Sequence, residues 1–300
     1  MRPVSTQKMR DGEFGIDAPL VERLVARRFP AWAELPVTRL RSSGTENAMF
    51  RLGPELVVRL PRHPGAVADV THERDWLPRL RTGLPVAVPE PVAAGEPDGD
   101  FPWPWSVYRW LDGANPVAGA VEEPEHLARE LGAFVAALRR IPAADAPRSY
   151  RGGPLAGQDE STRAALARLA GRIDTAGATA RWERALAAPP HTGPPAWAHA
   201  DLSPGNVLVA GGGRLSAVID FGCAGVGDPA VDLIAAWNLL PAAVRSVFRD
   251  AVGADDAEWA RGRGWALSIA LVQLPYYWRT NPVLAENARH TIGEVLAESA

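Results

Sequence analysis

The sequence predicts an α+β chain with two lobes: a small N-terminal lobe built on an antiparallel β-sheet, and a larger, mainly helical C-terminal lobe. Between Val37 and Leu60, short β-type runs are separated by turn residues, which is typical of antiparallel strands. Beyond the Asp112-Gly113 turn, apolar residues recur mostly at helical spacing. One strand–turn–strand pattern interrupts this helical region. We therefore predict a lobe over 1–111 and a second over 112–300.

The N-terminal lobe is predicted to open with a helix. Asp17 stands before Ala18-Pro19, a cap followed by a proline of the first turn. Three strands then follow at 37–41, 48–52 and 56–60, a helix at 66–80, and two more strands near Val92 and at 106–110. The polar loop Ser42–Asn47 separates the first two strands.

The C-terminal lobe is predicted to hold seven helices and one β-hairpin. The hairpin strands are Val207-Leu208-Val209 and Ala217-Val218-Ile219, with a triple-glycine turn between them. The helices are predicted at 125–140, 160–173, 179–187, 229–240, 242–251, 257–273 and 282–297.

Composition excludes several classes of protein. The chain has 300 residues, 47% of them apolar and 22% charged, with a formal net charge of −3. A disordered chain does not have this balance, and a nucleic-acid-binding surface needs a basic excess that is missing here. The single cysteine, Cys223, excludes an internal disulfide and a cysteine-rich zinc site.

The basic residues number 32, and only one of them, Lys8, is a lysine. This excludes chemistry that depends on a buried lysine, such as a Walker A phosphate site, unless arginine substitutes for it. The N-terminus is polar and lacks an apolar core like that of a secretory signal. The longest uncharged apolar stretch, 264–278, is shorter than the ~20 residues of a membrane span. We expect a cytoplasmic protein with no membrane partner.

The segment that carries chemistry begins at His199. It reads His199-Ala200-Asp201-Leu202-Ser203-Pro204-Gly205-Asn206, and Asp220 follows the hairpin in Ile219-Asp220-Phe221-Gly222. An H-x-D-x-x-x-x-N loop followed by D-F-G is the phosphotransfer set of the protein-kinase fold. Each residue alone is an ordinary cap, turn or strand exit. Their order, with a hairpin between them, favours the catalytic interpretation.

Phosphoryl transfer explains the spacing of these residues. Asp201 would accept the proton of the attacking hydroxyl or orient that hydroxyl. Asn206 stands just before one hairpin strand and Asp220 just after the other, so both should emerge at the same end. Their oxygen atoms suit Mg²⁺, which also binds nucleotide phosphates.

From about Val37 onward, the chain resembles the aminoglycoside phosphotransferase family, the small-molecule kinases with a protein-kinase-like fold. The family pattern is an H-G-D-x-x-x-x-N loop, an I-D-[FW]-x segment, and G-D-P-x-x-D-L. The matching segments here are His199–Asn206, Ile219–Gly222 and Gly227–Leu233. The resemblance implies a bilobal kinase-like fold, ATP or GTP as donor, Mg²⁺, and a small hydroxylated acceptor. It also implies that His199, Asp228 and Asp232 support the catalytic loop.

Two positions depart from the family pattern. Ala200 stands where the family has glycine, and Arg59 stands where the fold places a phosphate-binding lysine on the third strand. By position, the carboxylate partner of Arg59 is Glu73 in the following helix. Arginine has a planar fork of donors that suits phosphate oxygens, so we expect Arg59 to take the lysine's role, against the alternative of a surface strand cation.

The remaining nucleotide contacts are predicted by position. Ser43, Gly44 and Thr45 lie in the loop between two strands, where backbone amides and hydroxyls could cover phosphates. Backbone groups of Arg109 and Leu111, at the end of the last strand of the first lobe, should meet the adenine edge.

We predict an ATP-dependent kinase for a small-molecule hydroxyl. An aminoglycoside acceptor is a polycation and would need an acidic rim, for which Asp255, Asp256, Glu258 and Glu286 are the candidates in the last third. Two alternatives stay open. One is a kinase of the same fold for another alcohol, such as a macrolide, a peptide antibiotic, a sugar, choline or homoserine. The other is a nucleotide-binding pseudokinase scaffold. The sequence does not indicate the oligomeric state.

Overall fold

The structure is a computed structural model in which residues 13–42 and 44–298 are described. The chain divides into two compact units. The first runs to Thr82 and resumes over Val88–Leu111, and the second comprises Gly83–Ala87 and the chain from Asp112 onward. The predicted α+β class is confirmed.

The first unit contains two helices and a five-stranded antiparallel sheet. Its elements in chain order are α1 (Ala18–Arg28), β1 (Val37–Arg39), β2 (Asn47–Leu52), β3 (Leu56–Pro61), α2 (Val67–Leu80), β4 (Pro91–Gly95) and β5 (Trp105–Arg109). The strand order is β1-β2-β3-β5-β4. Each predicted element of this lobe is present, with ends shifted by a few residues.

The start of α1 follows the expected chemistry. Asp17 lies just before the helix, and its Oδ1 accepts from the N–H of Leu20 at 2.9 Å. Leu20, Val21, Leu24 and Val25 are buried in the apolar core that also contains side chains of β2, β3 and β5. The predicted cap is confirmed, and α1 covers one face of the sheet.

The strand β3 is buried over its whole length and lies at the centre of the sheet. Its alternation places side chains on opposite faces. Val58 and Leu60 belong to the core beneath α1, whereas Arg59, between them, contacts Glu73 of α2. The sheet therefore presents a buried cation on the face opposite its apolar core.

The second unit is mainly helical. Its helices are α3 (Pro124–Arg139), α4 (Asp159–Arg168), α5 (Thr175–Leu186), α6 (Ala235–Asn238), α7 (Arg245–Val252), α8 (Asp256–Tyr277) and α9 (Pro282–Ala297). Its strands are β6 (Ala196–Ala198), β7 (Val207–Val209), β8 (Leu215–Val218) and β9 (Gly225–Gly227). The strands β7 and β8 form the predicted hairpin. None of the helices in the described residues is long and apolar enough to cross a bilayer.

The prediction of a single hairpin in this unit is wrong. The strands β6 and β9 form a second two-stranded antiparallel sheet, with Trp197 opposite Val226. Each strand is three residues long, and β9 reads Gly-Val-Gly, so neither has enough residues to show alternation. The helix predicted at 229–240 is also different: residues 229–234 form a 3₁₀ turn before the short α6.

The strands of the two small sheets flank the two loops that carry the candidate catalytic residues. The strand β6 ends at Ala198, directly before His199, and β7 begins at Val207, directly after Asn206. On the other side, β8 ends at Val218 and β9 begins at Gly225. Both loops therefore have fixed ends, which limits the positions that their side chains can take.

Candidate active site

Asp232 holds the first turn of the loop 199–206, which we call the catalytic loop. Its Oδ2 accepts from the N–H of His199 at 2.8 Å, and its Oδ1 accepts from the N–H of Ala200 at 2.7 Å. Ala200 is buried and has a φ of 65°, a conformation that favours glycine. The two bonds hold the chain in this left-handed turn, directly before Asp201.

Burial of Asp232 affects its acidity. Loss of solvent raises the pKa of this carboxyl, and the opposing influence of His199 and the two backbone N–H bonds is smaller. A buried carboxylate must be matched by hydrogen bonds, and the loop backbone provides them. Asp232 is thus placed as a loop support.

The ring of His199 joins the catalytic loop to the strand that leads to Asp220. Its Nε2 lies 3.0 Å from the carbonyl oxygen of Ile219, and its Nδ1 lies 3.3 Å from the N–H of Asp201. A carbonyl oxygen can only accept and an N–H can only donate, so these partners select the neutral tautomer with the proton on Nε2. The ring also packs edge-on against Phe221. His199 therefore links Asp201 to the segment that leads to Asp220.

Both carboxylate oxygens of Asp201 receive a hydrogen bond. Asn206 Nδ2 donates to Oδ2 at 2.8 Å, and Arg151 Nη1 donates to Oδ1 at 2.7 Å. Each carboxylate oxygen has two lone pairs, so an acceptor hydroxyl can still bind. The side chain of Asp201 is 29% exposed, which leaves it open to a ligand and gives it a fixed direction.

Asn206 and Asp220 lie at the same end of the β7–β8 hairpin, as their spacing predicts. The N–H of Ile219 donates to the carbonyl of Asn206 at 2.9 Å, so Asp220 follows a residue paired with Asn206. Asp220 has a φ of 65°, which is rare for a residue with a side chain. Backbone strain of this kind concentrates at functional sites.

The residues present fit a magnesium ion. The amide nitrogen of Asn206 donates to the backbone and side-chain oxygens of Asp201, so its amide oxygen, the atom that could bind a metal, takes no part in these two bonds. Within the described part of the chain, no group of three or more His, Cys, Asp or Glu side chains forms a metal cage. Mg²⁺ does not require one, because it uses one or two carboxylates together with phosphates and water.

Two asparagines donate hydrogen bonds to backbone carbonyls in or next to the catalytic loop, and no motif in the sequence pointed to them. Asn115 Nδ2 donates to the carbonyl oxygens of Gly205 at 3.0 Å and Val207 at 2.9 Å. Asn238 Nδ2 donates to the carbonyl of Leu202 at 2.8 Å. Both lie far from the loop in sequence, so only the folded structure brings them to it. Arg151 was missed for the same reason.

Asp228 lies away from the loop contacts that the family resemblance implies for it. Its Oδ1 accepts from the N–H of Ala230 at 3.0 Å, and its Oδ2 accepts from Arg261 Nε at 2.8 Å. Asp228 therefore caps the turn that carries Asp232 and ties it to α8.

In the first unit, Arg59 and Glu73 form a buried ion pair. Arg59 Nη1 lies 2.5 Å from Glu73 Oε2, with side-chain exposures of 7% and 0%. Tyr108 donates its hydroxyl to the same carboxylate oxygen at 2.6 Å. Asn47, with its amide oxygen turned toward the guanidinium, accepts from Nε and Nη2 at 3.1 and 2.9 Å. The alternative of a surface cation at Arg59 is wrong.

Tyr108 stays protonated as part of this cluster. Burial raises the pKa of its hydroxyl well above the ordinary value of 10.0, and the Glu73 carboxylate raises it further. The neutral hydroxyl is the form that can donate to Glu73. It therefore helps to hold the carboxylate toward Arg59.

The predicted nucleotide loop is only partly described, because Ser43 lies outside the described residues. Gly44 donates its N–H to Ser42 Oγ at 3.0 Å, and the hydroxyl of Thr45 lies 3.1 Å from Glu46 Oε1. At the end of β5, the N–H of Arg109 is donated to the carbonyl of Glu90 at 3.0 Å. The N–H of Arg109 is thus used inside the sheet, and an adenine contact here would use the carbonyl of Arg109 or the backbone of Leu111.

Comparison with known proteins decides the family. The family model of the phosphotransferase enzyme family (APH) matches residues 37–265. This chain belongs to that family. The phosphotransferase is therefore a small-molecule kinase, which transfers a phosphoryl group to a hydroxyl, and the resemblance inferred from its motifs is confirmed. No curated protein matches it significantly.

Solved structures share the fold of this phosphotransferase. The GDP and kanamycin complex of APH(2")-IIIa aligns with a TM-score of 0.73 at 19% identity, covering 91% of this chain and 97% of its own. The apoenzyme of the macrolide 2'-phosphotransferase MphH from Brachybacterium faecium aligns with a TM-score of 0.62 at 24% identity, covering 95% and 99%. The streptomycin–ATP complex of APH(2")-IIa aligns with a TM-score of 0.60 at 16% identity, covering 93% and 97%. At these identities the likeness establishes the fold alone.

Proposed function

We propose that the phosphotransferase uses Asp201 as its catalytic base. The observation that carries the proposal is the pinned carboxylate, with Asn206 at 2.8 Å on one oxygen and Arg151 at 2.7 Å on the other. A base fixed in this way can orient the acceptor hydroxyl and take its proton as the oxygen attacks. Asp232 and His199 act indirectly, by holding the loop.

Asn206 and Asp220 are the proposed ligands of Mg²⁺. When bound, the ion supplies positive charge that neutralises the phosphate oxygens during transfer. The chain contributes an amide oxygen and a carboxylate oxygen, both set by the β7–β8 hairpin. Asp220 would keep its left-handed backbone as part of this role.

The proposed phosphate contact of the first unit is Arg59. A guanidinium has five N–H donors, so it can bind a phosphate oxygen and still pair with Glu73. Arginine is always charged and binds phosphate oxygens through a planar fork. Gly44, Thr45 and the backbone of Leu111 are the proposed further nucleotide contacts. Both ATP and GTP are compatible donors, since known structures of the fold include GDP and ATP complexes.

The acceptor is proposed to be a hydroxylated small molecule. Solved relatives of this fold include complexes with kanamycin and streptomycin and a macrolide 2'-phosphotransferase, so antibiotic modification, and with it resistance, is the first hypothesis to test. Use of ATP is the basis for proposing a cytoplasmic enzyme.

An ATP-consumption screen against hydroxylated antibiotics and metabolites tests this function. Wild type should consume ATP in a way that depends on both the acceptor and Mg²⁺, and Asp220→Asn should lose most of that turnover. Nucleotide binding without turnover on a broad panel would favour the scaffold alternative. The simultaneous presence of Asp201, Asn206 and Asp220 supports the enzyme.

A further inference from the structure

One segment outside the catalytic loop reaches Asp201. Residues 147–152 run beside β9, where Ser149 donates its N–H to Val226 at 3.1 Å and Val226 donates to Pro147 at 2.8 Å. The hydroxyl of Ser149 and the N–H of Tyr150 both donate to the carbonyl of Cys223. The segment is therefore fixed to the strand that follows Asp220.

This attachment fixes the position of Arg151. Its Nη1 donates to the carbonyl of Ala200 at 2.8 Å as well as to Asp201. The side chain is 19% exposed. Burial alone would lower the pKa of Arg151, but Asp201 and Cys223 oppose this, and the pKa is raised. A permanent positive charge is thus held at the proposed base.

The place of this charge matters for the acceptor. A hydroxyl that is hydrogen-bonded to Oδ1 of Asp201 lies about 3 Å from that oxygen, and therefore within about 6 Å of the Arg151 nitrogen that donates to the same oxygen. Tyr150, next in the chain, is 80% exposed, and its ring lies 5.5 Å from the Arg151 guanidinium. The surroundings of Asp201 in the second unit thus combine a cation with an exposed aromatic ring.

The acidic residues that were candidates for attracting a polycation each make a local hydrogen bond or ion pair. Asp255 caps α8 through the N–H of Glu258 at 2.7 Å, and Asp256 pairs with Arg249. Glu258 lies 2.5 Å from Arg139, and Glu286 lies 3.1 Å from Arg289. Each of the four carboxylates therefore has a local partner of its own in the second unit.

We propose that Arg151 is a specificity-determining residue that selects neutral or anionic acceptors and disfavours polycationic ones at Asp201. The inference rests on the proposed function, since it takes Asp201 as the group that binds the acceptor hydroxyl. An ammonium group close to the reacting hydroxyl would be repelled by the guanidinium, whereas a carboxylate or an uncharged sugar would not. Exclusion by like charge is a common source of specificity.

Four variants separate charge from hydrogen bonding. Arg151→Gln supplies a shorter, uncharged side chain that still has an N–H donor, Arg151→Lys keeps the charge, and Arg151→Ala removes both. Arg148→Ala is the matched control, because Arg148 is an exposed cation of the same segment. The kcat and KM of each are measured with kanamycin, a neutral polyol such as inositol and an anionic sugar such as glucuronate.

The ratio of kcat/KM for kanamycin to that for the neutral acceptor should rise at least tenfold in Arg151→Gln and Arg151→Ala. Arg151→Lys and Arg148→Ala should keep the wild-type ratio. Equal loss of turnover on every acceptor would show that Arg151 only orients Asp201, and faster turnover on every acceptor would show that it is a brake. Either result overturns the inference.

A binding measurement decides the inference without turnover. Calorimetric titration with kanamycin, in the presence of ADP and Mg²⁺, should give at least tenfold tighter binding to Arg151→Gln than to wild type. Equal affinity, or no binding to either protein, overturns the inference. Failure of wild type to phosphorylate any acceptor would instead count against the proposed function, and the titration would still decide the role of Arg151.

Discussion

At Ala200, the backbone adopts a left-handed conformation that residues with a side chain rarely take. Asp232 accepts hydrogen bonds from the backbone N–H groups of His199 and Ala200, and these two bonds keep the turn in place. The same conformation recurs at Asp220. The glycine that the family pattern has at position 200 is explained by this backbone angle, and alanine is the smallest departure from it.

Substitutions at Ala200 should separate backbone strain from packing. In Ala200→Gly, relief of about 1 kcal/mol of strain offsets the loss of a buried methyl of about 0.8 kcal/mol. We expect its free energy of unfolding to stay within about 1 kcal/mol of wild type. Ala200→Val should cost at least about 2 kcal/mol, because a β-branched residue is strained at this φ. Urea unfolding measures both, and equal stability of the two variants would contradict the strain argument.

The hydroxyl of Tyr108 predicts a pH-dependent contribution to stability. The pKa of this hydroxyl is higher in the folded state than in the unfolded state. Its contribution to stability is therefore complete below about pH 10 and is lost as the pH rises through the folded-state pKa. Tyr108→Phe should cost about 1.5 kcal/mol at pH 8, through loss of the bond to Glu73. The difference from wild type should narrow above pH 10. Denaturant unfolding across this range checks the trend, and a difference that widens would rule it out.

The Arg59–Glu73 pair predicts strong coupling between the two positions. Removing one partner leaves the other buried with less compensation, so Arg59→Met and Glu73→Leu should each cost about 3 kcal/mol. The double variant should cost at least ~1 kcal/mol less than their sum. Additive losses would show that the pair is not coupled.

The proposed phosphate role of Arg59 predicts a separate effect on nucleotide binding. Arg59→Lys should keep a near-normal nucleotide KM, whereas an unchanged KM in Arg59→Ala would refute the phosphate role.

At the scale of the elements, β9 carries more of the site than its three residues suggest. It pairs with β6, which leads into the catalytic loop, and it packs against the segment that carries Arg151. A Cβ at Gly227 would lie 2.2 Å from the carbonyl oxygen of Gly152, so the close approach of the two backbones requires glycine. The first glycine of the G-D-P-x-x-D-L motif is explained by this contact.

Gly227→Ala should therefore destabilise the protein by about 1–3 kcal/mol, because the added methyl forces the two backbones apart. Turnover should fall as well, through displacement of Arg151. Gly211→Ala is the matched control, since a Cβ there meets nothing within 4 Å, and it should stay within about 0.5 kcal/mol of wild type. Thermal unfolding and turnover of both variants provide the comparison. Wild-type stability and turnover in Gly227→Ala would contradict the packing argument.

Elements with a strong local signal were predictable from the sequence. The helix predicted at 282–297 and the cap at Asp17 depend on neighbouring residues, and both are present as predicted. The pairing of β6 with β9, and the positions of Asn115, Asn238 and Arg151 at the catalytic loop, depend on contacts between distant parts of the chain. Such contacts leave no periodicity in a single sequence, and so they were missed.

At the scale of the whole molecule, each unit contains some of the residues proposed for phosphoryl transfer. The first holds the buried Arg59–Glu73 pair in an antiparallel sheet, and the second holds Asp201, Asn206 and Asp220 around a short hairpin. The single lysine among 32 basic residues does not exclude a kinase. The phosphate-binding role is proposed for Arg59, which pairs with Glu73 of α2.

The central claim is that Asp201 is the catalytic base of this phosphotransferase. The most direct test is the kcat for phosphate transfer by Asp201→Asn to the best acceptor, with Asp250→Asn, an exposed aspartate of α7, as the charge-matched control. We predict a fall of at least ~100-fold in kcat, an unchanged KM for ATP, and wild-type kinetics for the control. Turnover of Asp201→Asn equal to that of wild type would contradict the account.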